Sequence, residues 1–142
     1  MSGPRWVPRL LVESAHLDLL REHGGRPGLR DPHALEAALA WPRQARTQEP
    51  ASDLARLAAA YGFALCRTRP FQDGNRRLAL LTVIVFLGLN GYGLSVTQAE
   101  THHVVMTLSA GSLQEDALAA WIRDHMDPMG PGGNGADGGP GR

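Results

Sequence analysis

The sequence has no lysine, a single cysteine and no long apolar run. All fourteen basic residues are arginines, which is typical of a GC-rich coding sequence and carries no information about function. Because Cys66 is the only cysteine, an internal disulfide is excluded and the reducing cytoplasm is the expected compartment. The longest apolar stretch, residues 78–89, spans twelve residues, which is too short to cross a bilayer.

The chain also lacks a charge excess of either sign and a secretory leader. Fourteen basic residues balance fourteen acidic residues, so the formal net charge is zero. A protein that binds nucleic acid or membrane surfaces would carry a basic excess, and the balance argues against both kinds of partner. The first nine residues hold two prolines and a glycine instead of an apolar run, so we expect no signal peptide.

What the sequence does contain is one domain of globular composition followed by a glycine-rich end. Hydrophobic residues make up 43% of the 142 residues, which is enough for a single buried core. From residue 127 to residue 142 the chain reads DPMGPGGNGADGGPGR and has almost nothing to bury. We therefore expect a domain over residues 1–126 and a flexible tail over residues 127–142.

The hydrophobic periodicity within the domain is helical almost throughout. It predicts six helices, at residues 10–23, 32–41, 52–66 and 74–89 and after two capping-box sequences at residues 97–100 and 112–115. Asp31 is the expected N-cap of the second helix, and Pro42 is expected to end it. The fourth helix is apolar all round after its first turn and is expected to be the buried central helix. The predicted fold class is an all-α, single-domain bundle of six helices, with a weakly indicated strand at residues 6–7 or 92–96.

The segment at residues 69–77, RPFQDGNRR, carries the most informative pattern. Its turn sequence DGN leads into a helix N-terminus, where unpaired backbone N–H groups and the helix dipole form an anion site. Arg76 and Arg77 oppose the dipole at a cost of roughly 0.3–1 kcal/mol each, which a bound phosphate would offset. Asp73 suits Mg²⁺, which takes one or two carboxylates together with phosphate oxygens. The competing interpretation is a solvated turn whose arginines pair with acids elsewhere.

This segment resembles the signature of the Fic/Doc (Fido) family, which reads His-x-Phe-x-Asp-Gly-Asn followed by Gly-Arg in Fic proteins or Lys-Arg in Doc proteins. The Doc branch is the more similar, because Arg76 is basic where Fic proteins have glycine. The second downstream arginine of the Fic signature would fall at Leu80 and is absent. The resemblance extends over roughly residues 5–126, including the stretches REHGGRPGLRDPHALEAALAWP and LSAGSLQEDALAAWIRDH.

The resemblance implies a Fido fold and the toxin component of a bacterial toxin–antitoxin system, neutralised by a Phd-type antitoxin. The implied activity is that of a protein kinase, which uses ATP and Mg²⁺ to phosphorylate a hydroxyl of elongation factor Tu, or of another translation protein, and so halts translation. Most Fic enzymes transfer AMP instead. The implied partners are proteins, without direct nucleic-acid or membrane contact.

The resemblance also assigns roles to residues of the segment. Phe71 would be the buried anchor of the loop. Asp73 would hold the Mg²⁺ ion and orient the acceptor hydroxyl. The nucleotide phosphates would be bound by backbone and side-chain groups of Gly74, Asn75, Arg76 and Arg77.

Arg69 departs from the family pattern, because it stands where the family has the histidine that takes the proton from the attacking hydroxyl. A guanidinium group stays protonated in proteins and cannot act as that base. Loss of a general base commonly lowers a rate by about 10²–10⁴, although phosphoryl transfer depends mostly on positioning and electrostatics. The remaining roles for Arg69 are an extra phosphate contact or a plug of the site. The sequence leaves open whether Arg69 is the natural residue or a detoxifying substitution.

Two alternatives to the kinase stay open at this point. The first is a Fic-type protein nucleotidyl (AMP) transferase, against which Arg76 argues because the Fic glycine leaves room for the α-phosphate. The second is a catalytically inactive binding module with the Doc fold, which Arg69 favours.

The other residues that can carry chemistry have plainer interpretations. His102 and His103 are neighbours on one predicted helix and diverge by about 100°, so they form a poor metal pair. One of them is expected at the surface and the other partly buried. Cys66 is expected in the core. The remaining histidines show no ligand spacing and are interpreted as ordinary residues: His16, His23, His33 and His125.

Overall fold

The computed structural model describes residues 3–129, which form six helices and one small sheet. The helices are α1 (Arg9–His23), α2 (Pro32–Gln48), α3 (Leu54–Thr68), α4 (Asn75–Leu89), α5 (Gln98–Ser109) and α6 (Glu115–His125). The all-α, single-domain prediction is confirmed. Among the described helices, none is both long and apolar enough to cross a membrane.

The centre of the bundle is α3, which corrects the expectation that the fourth helix would be the most buried. Every residue from 57 to 65 is buried, and the helix packs against α2, α4 and α6. Its alanines and Gly62 allow this close approach, since a Cβ at Gly62 would lie 2.9 Å from Val83 Cγ2. In α4, by contrast, Ile84 is 40% exposed. The central helix is therefore the one with many small side chains, which let neighbouring helices approach closely, and not the one with the most large apolar side chains.

The prediction that Pro42 ends the second helix is wrong, because α2 continues through it to Gln48. A proline inside a helix removes one hydrogen bond and costs about 3 kcal/mol or more. Here Pro42 is buried in line with Leu35, Ala38 and Ala45 on one face of a helix that packs against α3. The apolar surface buried along this face offsets the local cost of the proline.

The two capping-box sequences behave differently. The first is confirmed, since the Thr97 side chain accepts the N–H of Glu100 and the Glu100 side chain accepts the N–H of Thr97. The second is wrong, because the Ser112 hydroxyl donates to the Thr107 carbonyl at the end of α5. The N-cap of α6 is consequently Gln114, without a side-chain capping bond.

A strand pair extends the folded domain past residue 126. Strand β1 (Tyr92–Leu94) pairs antiparallel with β2 (Met126–Pro128), and the Met129 N–H donates to the Gly91 carbonyl at 2.9 Å. Residues 127–129 of the expected tail are therefore part of the fold, and the strand expected at residues 92–96 exists, whereas residues 6–7 are not in a strand. The rest of the expected tail, residues 130–142, lies outside the described residues.

Candidate functional site

Residues 69–77 form a loop and a first helical turn between α3 and α4, which we call the motif loop. The segment between α1 and α2 holds this loop through backbone contacts. These contacts are Arg30 N and Asp31 N to Pro70 O (2.7 and 3.1 Å), Gln72 N to Gly28 O (3.0 Å), and an antiparallel bridge between Leu29 and Phe71. The motif loop is thus fixed by backbone pairing to a segment about 40 residues earlier in the chain.

Arg69 ends α3 in a left-handed backbone conformation, with φ 49° and ψ 62°. It is the one non-glycine residue with a positive φ in the part of the chain that the structure describes. The Arg30 side chain supports this turn, because it donates to the carbonyls of Arg69 (2.8 Å) and Thr68 (2.6 Å). Histidine is among the residue types enriched in the left-handed region, so the backbone at position 69 also suits a histidine.

Beneath the motif loop, Phe71 is 4% exposed and stacks on His16 with ring centroids 3.9 Å apart. The Asn75 side chain closes the loop from below, since its Oδ1 accepts the Phe71 N–H (3.0 Å) and its Nδ2 donates to the Phe71 carbonyl (2.9 Å). His16, expected to be ordinary, is 1% exposed and its Nε2 donates to the Asp73 carbonyl at 2.7 Å. We call Phe71, Asn75 and His16 the loop floor.

The loop floor bears on the expected roles of two residues. Phe71 has the burial expected of a loop anchor. The Asn75 side chain makes two hydrogen bonds to the backbone of Phe71, which fix its position at the edge of the cleft. Its amide nitrogen carries a second hydrogen, so both the side chain and the backbone N–H of Asn75 can donate to an anion.

The carboxylate of Asp73 is held by the segment that follows α1. Its Oδ2 accepts the backbone N–H of Arg26 at 2.6 Å and the Arg26 Nε at 3.3 Å. The backbone bond first, and then the Arg26 side chain, keep the pKa of Asp73 below its ordinary value. The side chain remains 39% exposed, so an ionised carboxylate is accessible to a ligand.

Gly74 turns the chain into α4. It is the N-cap with φ 83°, a left-handed conformation that favours glycine. The first hydrogen bond of the helix runs from Leu78 N to Gly74 O at 3.0 Å. The N–H groups of Asn75, Arg76 and Arg77 consequently have no intrahelical partner and lie at the positive end of the helix dipole.

All of these groups meet in one cleft of about 920 Å³ between the motif loop, the end of α1, the start of α4 and α5. A cleft of this volume accommodates a nucleotide-sized ligand. Arg69, Asp73, Arg76 and Arg77 line it, and we call these four residues the cleft face. Among the described residues that line the cleft, Asp73 is the only acidic one, against three arginines. The cleft is therefore cationic although the whole chain has no net charge.

The cleft suits a metal ion only together with a phosphorylated ligand. Within residues 3–129, no group of three or more histidine, cysteine, aspartate or glutamate residues is arranged to hold a metal. Asp73 contributes a single carboxylate, and Mg²⁺ completes such a site with phosphate oxygens and water. The residues present thus fit a magnesium–nucleotide complex in preference to a free ion.

Three other residues of the sequence analysis can be compared with their positions in the structure. Cys66 packs against the core, as expected, and also lines the cleft wall, where burial raises the pKa of its thiol and disfavours a thiolate nucleophile. His102 and His103 are both exposed, so the expectation that one would be partly buried is wrong. His102 and His23 both line the cleft. Sequence spacing gave no signal for His23, because the packing of α1 on α4 brings it to the site.

Two comparisons with known proteins are relevant to this site. A family model described as the Fic/DOC family matches residues 6–87. The chain is also 35% identical over 104 residues to "Protein kinase doc" of Escherichia phage P1, an alignment that covers 73% of this chain and 82% of that protein. The region that the family model matches contains the whole motif loop and nearly all of the four helices that position it.

Proposed function

This chain belongs to the Fic/DOC family as a Doc-type member, and on that basis we propose that it is a toxin that transfers the γ-phosphoryl group of ATP to a protein hydroxyl. The observation that carries the proposal is the convergence of three arginines, one carboxylate and the start of α4 in a single cleft. Catalysis of phosphoryl transfer consists mostly of positioning the phosphates and stabilising their negative charge.

The phosphates would lie at the start of α4. Arg76 and Arg77 line the cleft there, and each guanidinium group can donate two parallel hydrogen bonds to phosphate oxygens. The backbone N–H groups of the first helical turn add dipolar attraction. This arrangement also explains why two arginines occupy a helix start that they would otherwise destabilise.

Asp73 would act on both substrates. An Mg²⁺ ion bound with the nucleotide would supply charge neutralisation at the phosphates, and Asp73 is the residue that would hold it. Asp73 offers it one carboxylate, held in place by the backbone of Arg26. The same carboxylate accepts a hydrogen bond from the acceptor hydroxyl and so orients that hydroxyl toward the phosphorus.

Arg69 would add a third cation to the phosphate site in place of a base. Its side chain is exposed in the cleft, and a guanidinium group can neither accept the hydroxyl proton nor lose its charge. The transfer reaction is consequently slow. Replacing Arg69 with histidine should raise the rate by about 10²-fold or more, within the usual range for general-base catalysis.

We further propose a translation protein such as elongation factor Tu as the phosphate acceptor and a Phd-type antitoxin as the neutralising partner. Phosphate transfer is preferred over AMP transfer because Arg76 occupies the position at which Fic proteins have glycine, and because the relative from phage P1 is described as a protein kinase. The catalytically inactive binding module is the second candidate, and Arg69 is the observation that favours it.

The test is label transfer from ATP to purified elongation factor Tu by this chain, by Arg69→His and by the double variant Arg69→His with Asp73→Ala. We expect transfer from γ-labelled but not α-labelled ATP, faster with Arg69→His and absent with the double variant. Transfer from α-labelled ATP would establish the nucleotidyl transferase instead. If none of the three proteins transfers label to elongation factor Tu, the acceptor or the reaction class is wrong, and ATP binding by the unmodified chain would then favour the binding module.

A further inference from the structure

The proposed reaction needs a proton acceptor near the attacking hydroxyl, and Arg69 cannot be that acceptor. We propose that His23, the last residue of α1, takes this proton and gives the unmodified chain a slow transferase activity. This inference rests on the function proposed above and adds a catalytic residue to it.

The position of His23 is the first observation behind the proposal. His23 lines the same cleft as Asp73, and two of the three residues that follow it, Gly25 and Arg26, lie against the Asp73 side chain. A Cβ added at Gly25 would lie 3.1 Å from the Asp73 Cβ, and the Arg26 N–H is bonded to Asp73 Oδ2. His23 thus lines the cleft three residues before the N–H group that holds Asp73, the residue that would orient the hydroxyl.

The second observation is that the His23 ring is available. Its side chain is 34% exposed, and its Nε2 lies 3.8 Å from Oε1 of Glu22, which is beyond hydrogen-bond distance. A neutral imidazole has one ring nitrogen with a free lone pair, which can accept a proton. The charged and titratable groups around it are Glu22 on α1, Arg26 in the following loop, Asp73, Arg69, Arg76 and Arg77 of the motif loop, and His102 on α5.

The other two histidines near the site are worse placed. His16 is buried, and its Nε2 donates to the Asp73 carbonyl, so it belongs to the loop floor. His102 lies on α5, one helical turn before Met106, whose sulfur accepts from Arg76 Nη1 at 3.3 Å. His102 is therefore on the arginine side of the cleft, where the phosphates would bind.

The proposed step is balanced within the substrates and His23. The acceptor oxygen forms a bond to the γ-phosphorus, and the bond from that phosphorus to the β–γ bridging oxygen breaks. The electron pair of the broken bond leaves with the nucleoside diphosphate. The proton of the hydroxyl moves to a ring nitrogen of His23, and solvent later removes it.

The experiment compares transfer rates of the unmodified chain, His23→Gln, His102→Gln and His103→Gln, each also in the Arg69→His background. His103→Gln is the matched control, because His103 is an exposed histidine outside the cleft. We expect His23→Gln to lower the rate by about 10²-fold. In the Arg69→His background that loss should shrink below about tenfold, because position 69 then supplies the base.

The pH profile separates a catalytic role from a structural one. The rate of the unmodified chain should fall on the acid side as the imidazole becomes protonated, and His23→Gln should remove that fall. A loss in His102→Gln equal to or larger than that in His23→Gln would overturn the assignment. If Arg69→His transfers phosphate and the unmodified chain does not, the assignment of His23 is also overturned, while the proposed function stands. Transfer by neither protein would defeat the proposed function itself, and the inference would fall with it.

Discussion

The two sides of the motif loop differ in what satisfies their polar groups. On the loop floor, the Asn75 amide and the His16 ring are bonded to backbone atoms of the same loop. On the cleft face, Arg69, Arg76 and Arg77 are exposed beside a single carboxylate. The floor groups are held by contacts within the chain, whereas the cleft face has an excess of positive charge that a bound anion would neutralise.

Structure and binding are therefore divided between the two sides of one short segment. Floor residues should determine the free energy of unfolding, and cleft-face residues should determine ligand affinity with little effect on folding.

Phe71→Ala should lower the free energy of unfolding more than any other substitution considered, because it leaves a cavity in the loop floor. Removing a buried phenylalanine side chain costs about 3–5 kcal/mol, and Phe71 also loses its stacking on His16. The melting temperature, measured by circular dichroism, should fall by about 10 °C or more. Phe71→Leu is the control, because it keeps a large apolar side chain in the loop floor, and it should cost less than Phe71→Ala. A fall in melting temperature no larger than that of Arg77→Ala would contradict the assignment of Phe71 to the floor.

Arg76→Ala and Arg77→Ala should change binding and leave stability nearly intact. Each removes a charge-assisted contact to phosphate worth about 1.5–3 kcal/mol, so the Kd for magnesium-bound ATP should rise by about 10- to 100-fold. Loss of a cation from the start of α4 should stabilise the fold by about 0.3–1 kcal/mol. Titration calorimetry and thermal unfolding measure the two effects.

Arg21→Ala is the control for those two variants, because Arg21 is an exposed arginine that pairs with Asp18 outside the cleft. Its removal should leave the Kd for ATP unchanged. An equal loss of affinity in this variant would mean that the protein attracts ATP through its general charge and not through the cleft face.

Local signals in the sequence predicted much of the fold. The end of α1 before Gly24, the N-cap Asp31 and the capping box at Thr97 depend on neighbouring residues only, and the structure has all three. The motif loop was also located correctly, because a turn followed by arginines at a helix start is a local pattern.

The predictions that failed required knowledge of packing. Pro42 lies within a helix because α3 covers its face, and Ser112 bonds backward to Thr107 although its spacing is that of a cap. Within the site, the loop contact of His16 and the place of His23 in the cleft wall could not be predicted for the same reason. Both lie about 50 residues before the motif loop, and only the packing of α1 on α4 brings them to it.

Gly74→Ala and Gly88→Ala should change the free energy of unfolding in opposite directions, although one glycine caps α4 and the other lies within it. At Gly74 the nearest neighbour of an added Cβ is His16 Nε2 at 3.5 Å, an ordinary contact, so the cost comes from the left-handed φ of 83°. We expect about 1–2 kcal/mol of destabilisation. Gly88 is helical with open space around it, so alanine there should stabilise by about 0.5–1 kcal/mol. Urea unfolding measures both, and equal signs would contradict the prediction.

Arg26→Ala should produce the smallest effect, a partial rise in the pKa of Asp73. That pKa is lowered mainly by the backbone N–H of residue 26, which the substitution keeps, and then by the side chain, which it removes. Because the pKa is lower in the folded state, Asp73 contributes stability above the ordinary carboxylate range and loses it as the pH falls through the lowered value. In Arg26→Ala this acid-sensitive contribution becomes smaller but does not vanish.

A ¹³C titration of labelled aspartates measures this pKa directly, with Asp53 as the internal comparison. The pKa of Asp53 is lowered mainly by the side chain of Arg123, which Arg123→Ala removes. The pKa of Asp73 is lowered mainly by a backbone N–H, which Arg26→Ala keeps. Arg123→Ala should therefore abolish a larger fraction of the Asp53 shift than Arg26→Ala abolishes of the Asp73 shift. If Arg26→Ala returned Asp73 fully to its ordinary value, the Arg26 side chain would be what holds the carboxylate. A magnesium ion would then have to displace the Arg26 side chain from the carboxylate in order to bind. The backbone N–H of residue 26 would not be sufficient to hold Asp73 in position.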